Sequence, residues 1–169
     1  MNVLAARIGF DKPRVRAVAR ALTDAGRLPP GAPAKSPVLD IGHVVDLLIG
    51  SAVDVPLRSV ADTVAKVREL TPAGAPIDVL PASLQYSAGN YLDALADLAA
   101  EGSLDVRRAK LEFVSSWNEL AVYQPDGAIS RFVGPGANAA QWQQSGHRRS
   151  TAINGAAFAD AIRDLFAGA

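Results

Sequence analysis

Three cations recur at every fourth residue near the start of the chain: Lys12, Arg16 and Arg20. On a helix this spacing stacks them along one face, where like charges repel and destabilise the free helix. The same face becomes favourable when it meets a row of phosphates. Arg7, Arg14 and Arg27 extend the basic character of the stretch. Neutralisation of a polyanion is the chemistry these residues can do, and no other group of residues in the chain points to a reaction.

The remaining reactive side chains lack the spacing that chemistry needs. There is no cysteine, which excludes disulfides, thiolate nucleophiles and cysteine-ligated metal centres. His43 and His147 are the only histidines, and neither stands in a metal-ligand spacing such as H-E-x-x-H. His43 sits in an apolar segment and reads as a satisfied core or interface histidine. "GPGANA", starting at Gly134, lacks the lysine and helix start of a phosphate loop and reads as a plain turn. No G-x-S-x-G elbow occurs. Asp93 and Asp97, one helical turn apart, read as a solvated face. No catalytic residue, metal or cofactor is expected, and the role is expected to be non-enzymatic. "HRRST", from His147 to Thr151, fits either a second phosphate-contacting patch or an edge strand guarded by charge. Trp117 and Trp142 fit core or interface anchors, or stacking on bases.

The charge is unevenly spread. The 169 residues carry 17 Lys and Arg against 17 Asp and Glu. Residues 1–37 hold seven bases against Asp11 and Asp24, whereas residues 38–102 hold nine acids against three bases. A basic end on a neutral chain can engage a polyanion while the rest keeps the protein soluble. No apolar run approaches the roughly 20 residues that span a bilayer. No basic-then-apolar leader opens the chain, so a cytoplasmic location is expected.

The elements that must position the cations follow from period and punctuation. Leu4, Ala5 and Ile8 fall on one face of a short helix ended by Gly9, a residue that takes positive φ without steric cost. Asp11 is suited to cap the next helix, with Pro13 in its first turn. Val15, Val18, Ala19 and Leu22 line its inner face, and Gly26 ends it. "RLPPGAPAKSP" then breaks regular structure. Asp40 is expected to cap an apolar helix, with Leu39 as a hydrophobic staple. A second helix is expected from Asp54 and Pro56 with Leu57, Val60, Ala61, Val64 and Val67 inward, and a third with Leu92, Leu95, Leu98 and Ala99 inward before Gly102. The period changes in "VRRAKLEFV", where Ala109, Leu111 and Phe113 alternate with Arg108, Lys110 and Glu112 as in a strand. "ELAVYQPDGAISRFVG" reads as a hairpin turning at Pro125, Asp126 and Gly127. Asn154 is expected to cap a closing helix with Phe158, Ala161, Ile162, Leu165 and Phe166 on one side. The fold class is α+β: an N-terminal helical pair in residues 1–52, a helical linker or oligomerisation segment in 53–102, and a sheet with a closing helix in 103–169.

Residues 4–28, "LAARIGFDKPRVRAVARALTDAGRL", resemble the helix-turn-helix of bacterial and phage DNA-binding proteins. The likeness lies in the alanines and Gly9 of the first helix, the short turn, the spaced valines and the "DAGRL" exit. An amphipathic hairpin carrying solvated arginines satisfies the same spacing. The resemblance implies double-stranded DNA as partner, with Lys12, Arg14, Arg16 and Ala17 where base edges are read. It places Arg7, Arg20 and Arg27 where phosphate contacts are expected. It also implies a homo-oligomer, either a dimeric transcriptional regulator or, by layout, a ring-forming small terminase of phage DNA packaging. A protein-interaction adaptor whose basic helix meets an acidic surface is the reading without DNA. The motif usually has a helix before the pair, whereas the pair here starts at Met1. The apolar segment after Asp40 or a partner subunit is expected to supply its packing, because a pair this small is not stable unaided.

Overall fold

The computed structural model describes residues 2–31, 37–137 and 146–166; Lys35, Trp142 and the rest of residues 138–145 lie outside them. In chain order the elements are α1 (Asn2–Ile8), α2 (Lys12–Asp24), α3 (Ile41–Ala52), α4 (Val60–Arg68), β1 (Thr71–Pro72), α5 (Ala88–Ala100) and α6 (Leu104–Arg108). They continue as β2 (Lys110–Val114), β3 (Glu119–Tyr123), β4 (Ile129–Val133), β5 (Ser150–Asn154) and α7 (Gly155–Phe166). The class is α+β, with helices first, an antiparallel sheet after them and a helix to close.

Local chemistry sets the ends of the helices. The Asp11 carboxylate accepts from the Arg14 amide at 2.9 Å, and Gly26 ends α2 at φ 72°. Asp40 and His43 form a reciprocal cap on α3: the carboxylate accepts from the His43 amide, and the imidazole Nδ1 accepts from the Asp40 amide. His43 is therefore satisfied as a capping residue at the helix start rather than inside the core. Asn154 accepts from the Ala156 amide at 2.8 Å at the start of α7.

The sheet order is β1-β4-β3-β2-β5. Leu111 pairs with Val122 and Ile153, and Phe113 with Leu120, so the alternation directs one sheet face towards the helices. That face, together with the inner stripes of all seven helices, forms one hydrophobic cluster running from Leu4 to Ile162. Residues from all three stretches of the chain share it. The packing for the N-terminal pair comes from two sources. α3 and α4 support α2, whereas α1 lies on α7. Gly50 permits the first approach, because a Cβ there would meet Val18 at 2.8 Å and Val60 at 3.1 Å.

Several details depart from the sequence pattern. Val106, Arg107 and Arg108, expected to open a strand, belong to α6, which Ser103 caps by accepting from the Val106 amide, and the strand starts only at Lys110. Asp54 caps no helix: α4 starts only at Val60, after a 3-10 turn at Leu57–Ser59. The Val55 carbonyl is taken by the Arg14 guanidinium instead of by a helix, and Leu57 stays 40% exposed. Leu98 is 45% exposed, because the inward stripe of α5 runs through Leu92, Leu95, Ala96 and Ala99. The helical middle of the chain contributes a strand, β1, which pairs Thr71 with Val133. Glu112 and Asp93, both on solvated faces by pattern, are drawn into ion pairs.

Asp46, on α3, is 6% exposed and holds the helical half together. It accepts from Arg27 just beyond α2 at 3.0 Å and from Arg68 at the end of α4. Arg68 reaches on to both carboxylate oxygens of Asp93 on α5, at 2.9 and 3.0 Å, and to the Gly42 carbonyl at 3.0 Å. Its stem lies against Gly89, where a Cβ would come within 2.9 Å of the guanidinium. Removing one partner from a pair this deep strands the other charges, at a cost of about 3 kcal/mol. Asp46→Ala is expected to lower unfolding stability by that amount in urea titration, whereas Leu98→Ala, at an exposed position, changes it by less than about 0.5 kcal/mol.

Candidate nucleic-acid interface

The outer face of α2 follows from its inner one. Val15, Val18, Ala19 and Leu22 are buried. At about 100° per residue the opposite side of the helix then carries Lys12, Pro13, Arg16, Ala17, Arg20 and Asp24. Lys12, Arg16 and Arg20 are exposed. Among the described residues none of them makes a salt bridge. The helix is about 20 Å long and of a width that a B-DNA major groove admits. The 3-10 turn at Leu57–Ser59 packs beside it. Between the two lies an open groove of about 570 Å³, lined by Arg16, Ala17, Arg20, Ala21, Asp24, Leu57 and Arg58.

The seven expected contact residues divide into two sets. Lys12, Arg16, Ala17 and Arg20 stand together on the outer face. The other three are engaged within the protein. Arg7 pairs with Asp164 of α7 at 2.7 Å, and that bond holds its guanidinium above its ordinary pKa. Arg14 donates from Nη2 to the Val55 carbonyl at 2.6 Å. Arg27 belongs to the Asp46 network. Arg58, which joins the open set, has no mark in the sequence: it is one of three bases in an acidic stretch, and the folded turn brings it beside α2.

A second concentration of charge lies on the outer side of the sheet. Glu119, 1% exposed, accepts from the Trp117 indole at 2.7 Å, from Arg131 at 2.5 Å and from Arg148 at 3.2 Å. Glu112 accepts from Ser150 at 2.6 Å, Tyr123 at 2.7 Å and Arg148 at 3.1 Å. Arg148 thus clamps β2 to β3 and is committed to two carboxylates, whereas Arg149 is exposed and lies 3.6 Å from Asp54. β5 forms the edge of the sheet beside them. Trp117 anchors Glu119 and stacks loosely under the Arg148 guanidinium, at 5.4 Å. Burial pushes the Glu112 carboxyl up, but the bonds from Ser150, Arg148 and Tyr123 and the charge of Arg148 outweigh it and hold it at about 2. An acid that stays ionised across the physiological range is no proton shuttle. The cluster is a lock within the sheet.

Among the described residues no three His, Cys, Asp or Glu side chains come together as metal ligands would. No helix there is long and apolar enough to cross a membrane. Compared with models of known families, with curated proteins and with solved structures, the chain matches none.

The Glu112 shift fixes the sign of an acid effect. Its folded pKa lies below the unfolded value of about 4.3. Its contribution to stability is therefore complete above that value and lost as pH falls towards 2. Unfolding stability is expected to drop between about pH 5 and pH 2, with Glu112→Gln flattening that limb and lowering the plateau at neutral pH. Denaturation measured across that pH range in both proteins checks it.

Proposed function

We propose that the protein binds double-stranded DNA without catalysis, presenting α2 as a recognition helix in the manner of helix-turn-helix proteins. The observation that carries this reading is the face of Lys12, Arg16 and Arg20, exposed and without a salt bridge among the described residues. Many arginines elsewhere in this fold are met by carboxylates: Arg7 by Asp164, Arg68 by Asp46 and Asp93, Arg107 by Asp160, Arg148 by Glu112 and Glu119. Arg108 and Arg163 are exposed and make no salt bridge among the described residues, but they are not stacked along one helix face as Lys12, Arg16 and Arg20 are. A face left without such partners is complementary to phosphate. α1, the tight turn at Gly9 (φ 86°) and the capped α2 supply the helical pair. Ala17, short and partly exposed between the arginines, lets base edges approach the helix. Transcriptional regulation in the cytoplasm is the role that goes with this reading.

Binding to a labelled random-sequence duplex is expected to weaken steeply between about 50 and 200 mM salt. Replacing Lys12, Arg16 and Arg20 by alanine removes about 0.9 from the logarithmic salt slope for each phosphate that is no longer neutralised. Absence of duplex binding at low salt, or an unchanged slope in the triple variant, contradicts the reading and leaves an acidic protein surface as the partner. Selection from a random pool then reveals the preferred sequence and any two-fold symmetry in it.

A further inference from the structure

We infer that the groove between α2 and the Leu57–Ser59 turn seats one sugar–phosphate strand of the duplex, with Arg58 binding phosphate from the wall opposite Arg16 and Arg20. This rests on duplex binding by α2 and adds a second element to it.

Three observations meet at this groove. Cations rise on both sides of it, Arg16 and Arg20 from α2 and Arg58 from the turn, and among the described residues none of the three makes a salt bridge. Its apolar lining is supplied by Ala17 and Ala21 from α2 and the exposed Leu57 from the turn. A deoxyribose-phosphate strand has this alternation of apolar sugar and anionic phosphate, and most protein–DNA hydrogen bonds go to that backbone. The far wall is also built to stay in place. Arg14 donates to the Val55 carbonyl at 2.6 Å, and Pro56, extended at φ −56° and ψ 144°, leads straight into the turn. Ser59 closes the turn with its amide on the Pro56 carbonyl at 3.0 Å. Arg14 is thus a positioning residue that holds Arg58 at its distance from α2. Asp24, the one acid lining the groove, sets the end of the strand's path by repulsion.

The test is a double-mutant cycle on the full chain with a fluorescein-labelled random-sequence duplex, read as affinity and as salt slope. Arg58→Ala is expected to weaken binding about fivefold at about 100 mM salt and to reduce the slope by about 0.9, by the same factor on every duplex sequence. Arg14→Ala is expected to do likewise in the wild-type background and nothing further in the Arg58→Ala background, since residues that act through one another are not additive. Asp24→Asn is expected to tighten binding. Arg58 is exposed, so its variant keeps the fold, which the thermal melt checks. A wild-type protein that binds duplex with a slope Arg58→Ala leaves unchanged overturns the strand seat and leaves the α2 reading standing. Additive losses from Arg14 and Arg58 overturn the positioning role. A wild-type protein that binds no duplex overturns both the seat and the reading beneath it.

Discussion

The helical half of this protein depends on one buried carboxylate. Asp46 holds two guanidinium groups, Arg27 and Arg68, and Arg68 carries the linkage on to Asp93. Four elements that the sequence spreads over residues 12–100 are thereby linked. Apolar packing brings α2 against α3 and α4, with Val18 and Val60 close over Gly50, but the hydrophobic attraction itself carries no direction. Charged hydrogen bonds between planar guanidinium and carboxylate groups specify angle as well as distance. Arg27, just beyond the end of α2, ties that end of the helix, and with it the basic outer face, to Asp46. α1 fixes the other end of the pair by lying on α7 and pairing Arg7 with Asp164, so the helical pair is built into the whole domain.

Arginines consequently have two fates in this chain. One group is neutralised inside the fold, in the Asp46 network and in the Glu112–Arg148–Glu119 cluster on the sheet. There they select register and angle. Others are left to solvent: Arg108, Arg163 and Lys66 singly, and Lys12, Arg16, Arg20 and Arg58 grouped around α2. A charge with an internal carboxylate gains little from an external phosphate, because the internal bond must first be broken. A solvated set grouped in one place keeps electrostatic free energy to give to a polyanion.

Helix and strand periods are legible in the residues, as are the Asp11, Asp40 and Asn154 caps and the hairpin at Gly127. All of these are settled by neighbours within a few positions. What depends on distant partners is not legible. Nothing near Arg14, Arg27 or Arg7 in sequence announces Val55, Asp46 or Asp164, so a basic stretch that reads as one surface is divided between scaffold and open face. Glu112 follows strand alternation and belongs outside by pattern; Arg148, 36 positions later, brings it in. Leu57 and Leu98 obey helical spacing and still stay exposed, because a 3-10 turn and the true stripe of α5 decide otherwise. Arg58 is invisible in the sequence for the same reason. Its neighbours in space come from α2, more than thirty residues away.

Whether the outer face of α2 meets duplex DNA is tested most directly by amide chemical-shift mapping. The labelled protein is titrated at low salt with a duplex taken from random-pool selection. The largest shifts are expected at Lys12, Arg16, Ala17, Arg20, Ala21 and Arg58, with the sheet face around Glu112 and Glu119 unmoved. Shifts confined to that sheet face, or none on addition of excess duplex, would contradict DNA binding by α2.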